Sequence, residues 1–118
     1  MKVLIIDDEK LVRWFLERAL KKWDYEVTSV SNGKEAVDAL DKESFDLVFT
    51  DLKMPVANGS LVIEHLGQIA DPPKIIVCSA YITSEMEEDY KNKGILSLKK
   101  PFKLDELERI IKKMALPA

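Results

Sequence analysis

Four places in this 118-residue chain carry groups that could do chemistry together. They are the acid pair Asp7-Asp8 with Glu9 behind it, the lone acid Asp51, the hydroxyl of Ser79, and Lys99-Lys100 before Pro101. Each comes directly after a short apolar run, the last being Ile95-Leu96-Ser97-Leu98. Two carboxylates about 4 Å apart repel by ~4 kcal/mol at an effective dielectric of about 20. A hard cation such as Mg²⁺ would relieve that cost, because it takes a few protein carboxylates and keeps several waters. A lysine would add positive charge at another point of the same cluster.

Each group also has an ordinary reading. Asp8 or Glu9 could cap the helix that follows. Asp51 could be a turn residue before Pro55, Ser79 a helix cap or loop hydroxyl, and Lys100 a solvated surface charge. These readings suffice for each residue alone. They do not explain why every relevant run ends in such a group.

The elements that must position these groups alternate regularly. Lys2–Ile6 is a short aliphatic run and reads as a buried strand. Lys10–Lys22 follows with Leu11, Val12, Phe15, Leu16, Ala19 and Leu20 on one helical stripe. Residues 25–30 read as a second strand, with Tyr25, Val27 and Ser29 on one face. Asn32-Gly33 marks a turn, and residues 34–41 are helical. Residues 45–50 form a third strand ending at Asp51, followed by a Pro and Gly loop over 54–59.

A helix over 61–70 stops at Asp71-Pro72-Pro73. Residues 74–78 read as a strand, 85–93 as a polar helix with Gly94 after its end, 95–98 as a weak fifth strand, and 102–114 as a last helix. Alternation of this kind predicts a parallel sheet with helices on both faces. In such sheets the functional crevice lies outside the carboxyl ends of the strands. That is where Asp7, Asp8, Asp51, Ser79 and Lys100 fall.

Length suits one domain over residues 1–118 with one core. The net charge of -3 argues against a nucleic-acid surface. Cys78 is the only cysteine, so no internal disulfide forms, which fits a cytoplasmic protein. No apolar run approaches the ~20 residues of a membrane span, and the N-terminus reads straight into a strand.

The chain resembles the receiver domains of bacterial two-component response regulators. The resemblance rests on Asp7-Asp8, Asp51-Leu52-Lys53-Met54-Pro55 with Gly59, Ser79-Ala80 and Lys100-Pro101-Phe102, in the family's order. It implies a doubly wound (βα)5, flavodoxin-like three-layer sandwich with strand order 2-1-3-4-5. It also implies phosphoryl transfer from a sensor histidine kinase, or a histidine phosphotransfer protein, to Asp51. Such a chain is no enzyme on a separate substrate. It catalyses only its own phosphorylation and dephosphorylation.

The resemblance further assigns Mg²⁺, with Mn²⁺ as a substitute, to Asp8, Asp51 and the carbonyl of Lys53, and to Asp7 through water. Lys100 would pair with Asp51 and then with the phosphoryl oxygens, Ser79 would move onto that group, and Ala80 would leave it room. A cis peptide before Pro101 is common in the family. The domain would be a monomer or a weak phosphorylation-dependent dimer, with an unidentified downstream target or fused output domain.

Departures from the family pattern matter too. The aromatic residue of the family's switch is replaced by Ser97, and the segment 94–100 is one residue short. Phosphorylation is therefore expected to move Ser79 with a weaker or different change on the outer face. Lys53 and Tyr81 stand where family members tune the phosphoryl lifetime. Leu11 and Phe15 read as core by spacing, and Trp14 as partly packed beside the family's kinase-docking helix. His65 reads as a surface or border residue with no metal role, and Cys78 as buried and inert.

Rival readings are weaker. A phosphatase with an aspartyl nucleophile would want a second acid where Lys53 stands, and a flavin carrier would not place Asp7-Asp8-Glu9 against a phosphate. A degenerate receiver acting only as an interaction module is opposed by the intact acids, hydroxyl and lysine, while Ser97 keeps it open.

Overall fold

The computed structural model describes residues 1–51, 59–69 and 71–113. Five strands alternate with five helices: β1 (Lys2–Ile6), α1 (Lys10–Lys22), β2 (Glu26–Val30), α2 (Gly33–Lys42), β3 (Leu47–Thr50), α3 (Gly59–Leu66), β4 (Lys74–Ser79), α4 (Ser84–Asn92), β5 (Leu96–Lys99) and α5 (Leu104–Lys113). All pairings are parallel and the order is β2-β1-β3-β4-β5. This is the flavodoxin-like order that the resemblance implied.

Instead of the one core that length suggested, period-two alternation splits the strands' apolar residues into two layers, one on each face of the sheet. Val3, Ile5, Leu47, Phe49, Ile76, Cys78 and Leu98 face α1 and α5, meeting Leu16, Leu20, Leu107 and Ile111. Leu4, Ile6, Val48, Ile75 and Val77 face the opposite layer, meeting Ala36 of α2 and Val62 and Leu66 of α3. Fully burying one such aliphatic side chain is worth roughly 1.5–3 kcal/mol, so these stripes fix the register of the sheet. That register sets Ile6 beside Val30 and Thr50, Thr50 beside Val77, and Ser79 beside Lys99. The strands therefore end along one edge.

Several local expectations need correction. Asn32-Gly33 is a helix start rather than a free turn. Asn32 is the N-cap of α2, its side chain accepts from the Glu35 N–H, and the Glu35 carboxylate accepts from the Ser31 N–H and hydroxyl. This reciprocal pairing satisfies donors that would otherwise be orphaned at the helix end. Phe102 and Leu104 do not continue one buried stripe. Helix α5 begins at Leu104, which is exposed, while Phe102 precedes it and sets its ring edge-on to Phe15 at 5.8 Å.

Leu11 is not core either. It is 79% exposed, because the buried side of α1 runs through Leu16, Ala19 and Leu20 and leaves the first turn's Leu11 at the rim. Trp14 is 53% exposed, more than partial packing implied, with the Arg18 guanidinium 4.8 Å from its ring centroid. Small boundary shifts also occur. Tyr25 precedes β2, residues 45 and 46 precede β3, and Ser79 lies inside β4.

Helices α1 and α4 end alike. Asp24 (φ 66) and Gly94 (φ 77) adopt left-handed conformations, and the following N–H groups of Tyr25 and Ile95 reach back to the carbonyls of Leu20 and Tyr90. Gly94 was expected in that role, since glycine adopts positive φ without steric cost. Asp24 carried no comparable signal.

Candidate functional site at the C-terminal edge of the sheet

The ladder runs past the strand ends and fixes the residues beyond them. The Asp7 N–H donates to the Val30 carbonyl, the Asp51 N–H to Ile6, and the Lys100 N–H to Ser79. Backbone pairing thus positions two acids and the lysine on a rigid frame. The Lys100–Pro101 peptide is cis, as the resemblance implied.

Side chains then converge on one ammonium. Lys100 Nζ lies 2.8 Å from Asp7 Oδ2, 2.8 Å from Asp51 Oδ2 and 3.0 Å from Glu9 Oε1. The Lys100 side chain is only 9% exposed, which rules out the solvated surface charge considered above. Asp7, Asp8, Glu9 and Asp51 each offer a carboxylate oxygen, and these oxygens lie within 4.8 Å of one another. Asp7 and Asp51 are buried, whereas Asp8 and Glu9 are exposed.

The acid pair does not cap α1 in the manner considered above. Glu9 occupies the N-cap position but makes no side-chain cap hydrogen bond. Instead Asp7 Oδ1 accepts the Glu9 N–H at 2.9 Å, a local turn typical of aspartate. The Arg13 guanidinium donates to the Asp7 carbonyl at 2.6 Å, bracing the same residue from one turn into the helix.

The electrostatics follow from this crowding. Burial pushes the Asp7 carboxyl above its ordinary range, against the opposing pull of Lys100 and the Glu9 N–H, and the Asp51 charge adds to the rise. Burial pulls Lys100 the other way. Its hydrogen bonds to Asp51, Asp7 and Glu9 outweigh that and hold the ammonium firmly protonated. Asp7, Glu9 and Asp51 share the Lys100 ammonium and Asp8 lies beside them, so carboxylates outnumber the ammonium they surround. All the cluster's donors are oxygens, which fits a small hard dication.

Ser79 is buried at the end of β4, and its Oγ accepts the Tyr81 N–H at 3.2 Å. Ala80 and Tyr81 are exposed beside it. Ser97 stands in β5 opposite Val77 and is half-buried. Lys53, whose carbonyl the resemblance made a metal ligand, lies outside the described residues. Cys78 is buried, and burial, followed by the charge of Asp7, pushes its thiol up and keeps it neutral. His65 is half-buried on α3 and meets the Asp41 carboxylate at 3.2 Å.

The family model described as the response regulator receiver domain matches residues 3–112. This chain belongs to that family. It is 33% identical over 113 residues to the sporulation initiation phosphotransferase F of Bacillus subtilis, covering 95% of this chain and 91% of the relative. It is 35% identical to the positive alginate biosynthesis regulatory protein of Pseudomonas aeruginosa, covering 99% of this chain but 48% of that longer protein. Among solved structures it resembles the response regulator TrrA of Thermotoga maritima in complex with Mg²⁺ and beryllofluoride. The TM-score is 0.81 at 31% identity, with 96% of this chain and 97% of that one covered. Receiver domains of this family serve two-component signalling, and they are not enzymes in the usual sense.

Two contacts of this receiver have no signature in the sequence. Glu9 stands in the acid run at the end of β1, but nothing in the sequence pairs it with Lys100. Arg13 gave no signal, because its contact is to a backbone carbonyl.

Proposed function

We propose that this receiver domain accepts a phosphoryl group on Asp51 from a phosphohistidine of a sensor kinase or phosphotransfer protein, in a Mg²⁺-dependent reaction. The observation that carries this reading is the pairing of Lys100 with Asp51 at 2.8 Å within a cluster of four carboxylates. An Asp51 oxygen attacks phosphorus, the P–N bond breaks, and the imidazole leaves as the neutral base once protonated. A carboxylate is a weak nucleophile, so positioning and charge neutralisation do most of the work.

Asp8, Asp51 and the Lys53 carbonyl would hold the metal, with Asp7 holding it through water. The metal would neutralise phosphoryl oxygens. Lys100, a compact ammonium on a flexible stem, releases Asp51 and donates to those oxygens instead. Ser79 turns its hydroxyl from the Tyr81 N–H towards the phosphoryl group, and the small Ala80 leaves room. Tyr81 flanks the path of water, and Ser97 alters how the change reaches the outer face.

The domain works in the cytoplasm through protein partners, without binding nucleic acid or membrane itself. It is a monomer that dimerises weakly at most when phosphorylated. Beryllofluoride provides the test, since it accompanies Mg²⁺ in the Thermotoga relative. Amide signals of Asp51, Ser79 and Lys100 should shift when both Mg²⁺ and beryllofluoride are present. They should stay unmoved by beryllofluoride in Asp51→Asn. Shifts of equal size in that variant would refute the assignment.

A further inference from the structure

We propose that Glu9 is a positioning residue that competes with the phosphoryl group for the Lys100 ammonium, and so lowers the affinity of the site for that group. This rests on Asp51 being the acceptor. An ammonium has three N–H donors. Here three carboxylates, Asp7, Asp51 and Glu9, lie within 3.0 Å of Lys100 Nζ.

The three partners differ in freedom. Asp7 is 2% exposed and its other oxygen is taken by the Glu9 N–H, so it is held in place. Asp51 loses its free carboxylate when it becomes an acyl phosphate, and the negative charge moves outward onto the phosphoryl oxygens. Glu9 is 58% exposed on a longer side chain, which makes it the adjustable partner.

Two effects of Glu9 then act in one direction. Its charge repels an anion arriving on Asp51, because like charges at this separation oppose each other. It also keeps hold of a donor that the arriving oxygens need. Glutamine at this position keeps the shape and the backbone N–H to Asp7 but removes the charge. Loss of a merely structural contact would weaken anion binding, whereas relief of competition strengthens it. The sign of the change therefore separates the two.

The test is a beryllofluoride titration at saturating Mg²⁺, followed through the Ser79 amide and the Lys100 side-chain ammonium by NMR. Glu9→Gln should lower the half-saturating concentration about fivefold, the size expected for one partly exposed charge. The Lys100 ammonium signal of the resting protein should shift in the same variant. Glu9→Ala should change both in the same direction. An unchanged or raised half-saturating concentration in Glu9→Gln overturns the role of Glu9 and leaves Asp51 as acceptor. No binding by the wild-type chain overturns both.

Discussion

Lys100 and Asp51 meet across the C-terminal edge of the sheet, Nζ to Oδ2 at 2.8 Å, although they lie 49 residues apart in sequence. The contact neutralises part of a crowded acid cluster before any ligand arrives. Lys100→Met should therefore destabilise the metal-free chain by about 3 kcal/mol, as expected when one partner of a buried pair is removed. Urea unfolding at pH 7 without divalent ions measures this. Added Mg²⁺ should then recover more stability in the variant than in the wild type, since binding to the folded state alone stabilises it.

Asp7 should show the opposite sign. Its carboxyl is raised above the ordinary value of 3.8, mainly by burial. A group raised in this way costs stability once the unfolded chain ionises it. The cost is absent below about pH 3.8 and complete above the raised value. Asp7→Asn should unfold at a higher temperature than the wild type at pH 7 without metal, and the gap should close as pH falls towards 3.8. A gap independent of pH would contradict this account.

The start of α2 gives a test away from the site. Asn32 and Glu35 cap each other, with Ser31 joining through its N–H and hydroxyl. Asn32→Ala should cost about 1 kcal/mol in denaturant unfolding. The Ser31 hydrogen bonds hold the Glu35 carboxyl below its ordinary 4.5. Its contribution is present above that value and is lost as pH falls through the lowered one.

Ser97 should leave its mark on the switch. After beryllofluoride and Mg²⁺ are added, amide shifts across residues 95–102 should be smaller than in a receiver carrying the usual aromatic residue there. Ser97→Tyr should enlarge them, with Ser79 shifting similarly in both proteins. Equal shifts in the two forms would show that Ser97 does not alter the coupling.

How much of this was legible in the sequence depended on the physics of each feature. The apolar runs and the 3.6-residue stripes announced β1, α1, β3 and β4 because burial dominates there. The groups at the strand ends were legible because parallel strands bring their carboxyl ends to one edge. The capping role of Asn32 was read as a turn, since asparagine before glycine suits both conformations. Leu11 misled because helical spacing reports a face but not where that face stops being covered. Glu9 and Arg13 act through contacts with Lys100 and a backbone carbonyl, and neither contact has a periodic signature.

The most direct test of the central claim is intact mass after incubation with acetyl phosphate and Mg²⁺. The wild-type chain should gain the mass of one phosphoryl group, and Asp51→Asn should gain none. No gain in the native wild-type chain, or a full gain in Asp51→Asn, would contradict Asp51 as the acceptor.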